Sequence, residues 1–250
     1  MNPKRSVLLI LLFAGLSIFL QAQEKRAVLL DFNYSYGIPI ADLSDRYGNH
    51  LSLGTGISLQ PAGRFLLLGA GAEYWFGSTV KEDVLVPLRS SFGGLLLGND
   101  EYLTEFKQRQ RGWLFQAYAG SVLPIGSQKK ARQSLKLQLG AGFLQHQIRF
   151  LDEARSLPQF TKSYKKGFDR LANGWALIPF AGYEFLSRKG WLSFYAGVES
   201  VLAFTQNQRN FNYDSNRSEF GDRRFDAAIQ FKLGLYLPFY LDIDQSTIEY

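Results

Sequence analysis

The sequence predicts an all-β chain: an eight-stranded antiparallel up-and-down barrel that crosses a membrane and carries long surface loops. Three observations predict it. Residues 225–239 place Phe225, Ala227, Ile229, Phe231, Leu233, Leu235 and Leu237 on one face, and Asp226, Ala228, Gln230, Lys232, Gly234 and Tyr236 on the other. That is period 2, held for longer than in most globular strands and for at least the roughly 9–11 residues that a tilted strand needs to cross a bilayer. Seven other stretches repeat the pattern, and short and long connections alternate between them, as they do where turns and loops lie on opposite sides of a membrane.

The N-terminus predicts the compartment. Lys4 and Arg5 precede an apolar run over residues 7–20, and Gln21-Ala22-Gln23 follows as a small-residue cleavage site. This is the layout of a secretory signal peptide over residues 1–22. Residues 23–241 are then the barrel and 242–250 a periplasmic tail. The chain has no cysteine, which excludes disulfides and thiolate chemistry. Its net charge of +6 gathers in the connections and forms no basic stripe on a nucleic-acid-binding fold, so no nucleic-acid partner is expected. Metal-ligand spacings, nucleophile elbows and dinucleotide fingerprints are missing from the sequence, and no metal or cofactor is expected.

The first strand spans residues 26–37, with Val28, Leu30, Phe32, Tyr34 and Tyr36 on one face. Residues 41–48 then suit one or two helical turns. The second strand, 50–60, alternates Leu51, Leu53, Thr55, Ile57 and Leu59 with Ser52, Gly54, Gly56 and Ser58; the third, 65–76, sends Gly69, Gly71 and Glu73 inward. The longest connection, 77–111, carries apolar pieces at 84–88 and 95–97 and a candidate short helix at 100–109. A ten-stranded variant, with those pieces as an extra hairpin, is disfavoured by Pro87 and the Gly93-Gly94 pair. The fourth strand runs 113–123. In the fifth, 135–150, the apolar positions change parity near Gln145, which predicts a bulge. The sixth is 175–186, the seventh 191–204 and the eighth 225–239.

A soluble eight-stranded barrel turns its apolar face inward. Here the opposite face is Gly, Ser and charge, so the apolar face belongs outside. Trp75, Trp113, Trp175, Trp191, Tyr34, Tyr36 and Tyr240 near strand ends read as an interfacial girdle. The Gly54/Gly56, Gly69/Gly71 and Gly140/Gly142 pairs make room for bulky neighbours in a narrow interior.

Several segments resemble the small outer-membrane β-barrel proteins of Bacteroidota, barrels of the eight-stranded OmpA/OmpX-like kind. They are Ala22-Gln23, residues 39–48 (Pro-Ile-Ala-Asp-Leu-Ser-Asp-Arg-Tyr-Gly), residues 167–174 (Gly-Phe-Asp-Arg-Leu-Ala-Asn-Gly) and residues 234–240 (Gly-Leu-Tyr-Leu-Pro-Phe-Tyr). Lys232, Gly234, Leu237 and Phe239 also resemble the insertion signal of such barrels, although the chain runs on to Tyr250. The resemblance implies an outer-membrane location, contact with outer-membrane lipid and recognition by the barrel-assembly machinery through the last strand. It implies no chemistry.

The candidate interior set is Asp31, Glu73, Lys136, Glu184, Glu199, Asp226 and Lys232. An eight-stranded barrel is just wide enough for side chains to fill, so these groups are expected to pair as a plug. Strand order puts Lys232 between Asp31 and Glu199, and Lys136 beside Glu184; an ion path or narrow pore is the alternative. His50-Leu51-Ser52 superficially resembles the His-x-Ser pair of lipid A deacylase, which would make the chain a lipid-A-directed acyl hydrolase. Alternation turns both side chains inward, away from lipid, and His50 is expected as a capped surface histidine. The basic loop with Lys162, Lys165, Lys166 and Arg170 is a candidate surface for lipopolysaccharide phosphates or an acidic partner, and the apolar 77–111 loop for a protein partner. The function expected is non-enzymatic, structural or surface-interacting, as an accessory of a surface or secretion assembly.

Overall fold

The computed structural model describes residues 27–61, 66–89, 95–97, 103–104, 107–125, 131–151, 161–187 and 192–240. The expected signal peptide, the expected tail after 241, Trp191 and the tips of the three short connections lie outside the described residues.

Eight strands form one closed ring: β1 (Ala27–Ala41), β2 (His50–Gln60), β3 (Leu66–Gly77), β4 (Lys107–Pro124), β5 (Ala131–Leu151), β6 (Ala172–Ser187), β7 (Phe194–Asn207) and β8 (Arg223–Tyr240). Each pairs antiparallel with its sequence neighbours, and β8 closes on β1 from Ala27 opposite Tyr240 to Ala41 opposite Asp226. Alternation fixes this register, because a slip of one residue would turn every apolar side chain to the wrong face. Phe32, Leu53, Phe115, Leu139, Phe231, Leu233, Leu235 and Leu237 all point out, each more than half exposed.

Strand β1 leaves the wall at Ala41, whose φ of 51° is left-handed and turns the chain into α1 (Asp42–Arg46). The Asp42 carboxylate then accepts from the Phe225 backbone N–H of β8, at 2.7 Å. A second short helix, α2 (Lys162–Lys165), starts with the Thr161 hydroxyl accepting from the Tyr164 N–H.

Four expectations change. The bulge near Gln145 is absent: β5 pairs without interruption with β4 and β6. Leu144, Ile148 and Phe150 instead face inward, because the interior at this end is apolar. The helix at 100–109 is also absent from the described residues, since Leu103–Thr104 pairs with Leu96–Leu97 and β4 begins at Lys107. That small pair lies outside the ring, so the apolar loop pieces add no barrel strand. Trp75 is not in the girdle but fully buried inside, its indole stacked on His50 with ring centroids 4.3 Å apart. His50 is accordingly no surface residue.

Candidate functional site: the sealed interior

The interior has three levels. At the end that holds both strand termini, Ala27, Leu29, Phe180, Leu186, Tyr195 and Tyr236 pack as one cluster. At the long-loop end, Leu43 and Tyr47 after β1, Val84, Leu85 and Leu96 from the β3–β4 connection and Phe168 before β6 drop onto Trp75, Leu114, Leu144 and Ile148 of the wall. The polar groups lie mainly between. A polar, plugged lumen was expected; the structure adds an apolar cluster at the loop end, beside the buried His50, His146 and Asp226.

Strand period places the polar belt, and the strand neighbours allow two carboxylates and an ammonium to meet. Lys232 donates to Glu199 at 2.6 Å and also to Glu73, which lies across the lumen on β3. Glu73 further accepts from Gln116 at 3.3 Å and Ser52 at 3.2 Å. Asp31 is not the second partner of Lys232. It accepts instead from Asn33 at 2.9 Å and the Tyr195 hydroxyl at 3.0 Å, because Lys232 is in register with Ser35, four residues further along β1. Ser35 in turn bonds the Gln230 amide oxygen.

Lys136 does not reach Glu184 directly. Its ammonium donates to the Tyr236 hydroxyl at 2.6 Å, and that hydroxyl donates to Glu184 at 3.0 Å. The same ammonium lies 4.3 Å from the centre of the Tyr195 ring, a cation–π contact in a confined site. Glu184 also meets Arg132 at 3.0 Å. Asp226 sits apart, near the loop end, where it accepts from His146 Nε2 at 2.8 Å, from Thr205 and from Arg224 at 3.2 Å. A cavity of about 20 Å³ among Asp31, Glu73, Tyr118, Lys136 and Lys232 has the size of a single water site.

The loop end is tied by arginines. Arg170 ion-pairs with Glu82 at 2.9 Å, Asp214 at 2.5 Å and Glu219 at 2.5 Å, and its backbone carbonyl accepts from Arg46 at 3.1 Å. Arg46 holds Glu82 as well, at 2.8 Å. Arg209 grips Asp169 through two nitrogens. Burial pushes the Tyr47 phenol up. Burial also pushes the Glu219 carboxyl up, but the Arg170 guanidinium bonded to it outweighs burial and holds it below the ordinary carboxylate range. Arg170 is thus a buried hub and not a surface ligand group. Lys165 is half-buried and Lys166 is exposed, while the Lys162 side chain lies outside the described residues.

Sequence reasoning missed Tyr195, Tyr236, Arg46, Glu82, Asp214 and Glu219. The two tyrosines fall on inward positions and were legible as lumen groups; the loop ion pairs join segments with no periodicity to read. His50 and Ser52 both face the interior: the His50 ring nitrogens have no hydrogen-bond partner among the described residues, and Ser52 bonds Glu73. No groups of three or more His, Cys, Asp or Glu residues suited to a metal occur among the described residues.

No protein-family model matches the chain, and no curated protein matches it. Solved structures similar to it include Neisserial surface protein A, at 9% identity and a TM-score of 0.45, over 88% of this chain and 100% of that one. Ail, the attachment invasion locus protein of Yersinia pestis, is 12% identical with a TM-score of 0.43, over 86% and 99%. A major outer membrane protein from Thermus thermophilus is 10% identical with a TM-score of 0.40, over 85% and 99%. No residue role passes from likenesses this distant. The physical argument stands on the chain itself: every barrel strand is paired on both sides, the outer face is apolar along most of its height, and the lumen holds paired charges. That is the outer-membrane barrel solution.

Proposed function

We propose that this chain is a sealed, non-conducting outer-membrane barrel with a structural or surface-interaction role, serving a surface or secretion assembly and carrying out no reaction. The observation that carries this reading is the lid: loop residues fill the mouth as an apolar core, and Arg170 and Arg46 tie the four long connections together over it. An apolar core offers a permeating ion no replacement for its hydration shell. The paired lumen charges below it support the same reading, since each ammonium already has its acceptors. A hydrolase built on His50 and Ser52 lacks access to acyl chains from the surrounding bilayer, because both side chains lie inside the wall.

Planar-bilayer recording on the refolded mature chain tests the seal. No unitary conductance steps are expected at neutral pH. Stable, ion-selective steps from the wild-type protein would replace the plug with a pore.

A further inference from the structure

The outer face of the barrel changes character abruptly on β4 and β5. Going toward the loops, the outward residues of β4 are Phe115, Trp113, Arg111, Arg109 and Lys107, while the last two of β5 are Arg149 and Leu151. Arg109 and Arg149 are direct cross-strand partners. Like charges in that relation repel and destabilise a sheet. Neither they nor Arg111 has a carboxylate partner among the described residues. Arg109 donates to the Ser78 carbonyl at 3.2 Å and Arg111 to the Gln110 carbonyl at 2.7 Å, so both keep donors to spare. Arg224 of β8, by contrast, ion-pairs with Asp226, whereas no carboxylate among the described residues neutralises this trio.

Directly below it lies the aromatic interface. Trp113 is opposite Tyr74, with ring centroids 4.8 Å apart, and stacks on Phe115 at 5.9 Å. Two surface clefts meet at Arg111. One, of about 410 Å³, is lined by Tyr36, Phe76 and Arg109; the other, of about 170 Å³, by Tyr74, Trp113 and Arg149. Rings of this kind mark the level where acyl chains give way to headgroups, and arginine forks match phosphate oxygens.

We infer that Arg109, Arg111 and Arg149 form a binding site for a phosphorylated lipid headgroup of the leaflet on the long-loop side, with its acyl chains descending past Tyr74 and Trp113. The phosphate neutralises the Arg109–Arg149 repulsion, so the lipid completes the wall. The inference rests on the membrane-spanning reading but not on the sealed lumen; conductance would sink the seal and leave this site intact.

Native mass spectrometry and thermal unfolding of the detergent-solubilised mature chain test it, with diphosphorylated lipid A, the same lipid stripped of both phosphates, and inorganic phosphate. Lipid A is expected to bind and to raise the melting temperature, whereas the dephosphorylated lipid is not. The Arg109→Gln/Arg149→Gln double variant should bind lipid A about tenfold more weakly or worse, as loss of charge-assisted hydrogen bonds predicts. Arg217→Gln, at an exposed position of the β7–β8 connection, should leave affinity unchanged. In lipid-free detergent the double variant should melt at or above the wild type, because the repulsion is gone. Wild-type affinity in the double variant would overturn the site. So would a double variant that folds poorly without lipid, or displacement of lipid A by inorganic phosphate at millimolar concentration.

Discussion

Lys232 enters the lumen with its ammonium between Glu73 and Glu199, all three side chains almost wholly buried. Removing the cation leaves two carboxylates facing one another in a confined site, which typically costs about 3–5 kcal/mol. Lys232→Met is therefore expected to lower stability by that order in urea unfolding followed by tryptophan fluorescence. Adding Glu73→Gln and Glu199→Gln should recover much of the loss, since the uncompensated charges go with the cation. Near-silence of Lys232→Met would mean that water screens the lumen. The three residues were legible from alternation, which put them inside. Their partners were not, because a chord across the lumen depends on barrel diameter and side-chain reach, and no local pattern encodes either. Asp31 illustrates the difference: it is inward, as period 2 requires, yet four residues along β1 from the level of Lys232.

At the scale of elements, the connections do the sealing. Arg170 joins the segment before β6 to Glu82 of the β3–β4 connection and to Asp214 and Glu219 of the β7–β8 connection. The Glu219 carboxyl is depressed below its ordinary value of 4.5 in the folded lid. Its contribution is thus present in full above that value and lost as pH falls through the folded-state pKa. Limited proteolysis of the 208–222 connection should be slow at neutral pH and accelerate as the pH is lowered below that ordinary value. Arg170→Ala should accelerate it already at neutral pH and flatten the pH dependence, while the barrel keeps its resistance to unfolding in cold detergent. A pH profile unchanged by Arg170→Ala would remove the hub from the account. The absent bulge in β5 belongs to this scale too. The inward apolar residues Leu144, Ile148 and Phe150 imitate a slipped register only if the lumen is assumed polar at this level; the loops add an apolar cluster at its upper end.

For the whole molecule, both ends of the ring at β1 and β8 share a side with the short connections, and the four longer connections share the other. In an outer-membrane barrel, long connections face outward and short turns face the periplasm. A cysteine placed at Lys166 should react with an impermeant maleimide on intact cells, and one at Gly63 only after the outer membrane is opened. Labelling at Gly63 in intact cells would invert the molecule, and with it the leaflet assigned to the arginine trio.

The sequence alone determined the strand count, the face of each strand that meets lipid and the compartment it implies, because all three follow from period 2 and from the spacing of turns. It also determined which charges lie inside. Only the tertiary structure decided that Lys232 bridges Glu73 and Glu199 and that Tyr236 links Lys136 to Glu184. It alone showed Trp75 buried against His50, and Arg170 locked within a lid. Those contacts join residues as far as 159 positions apart. Their energies depend on distance and desolvation, which exist only once the ring has closed.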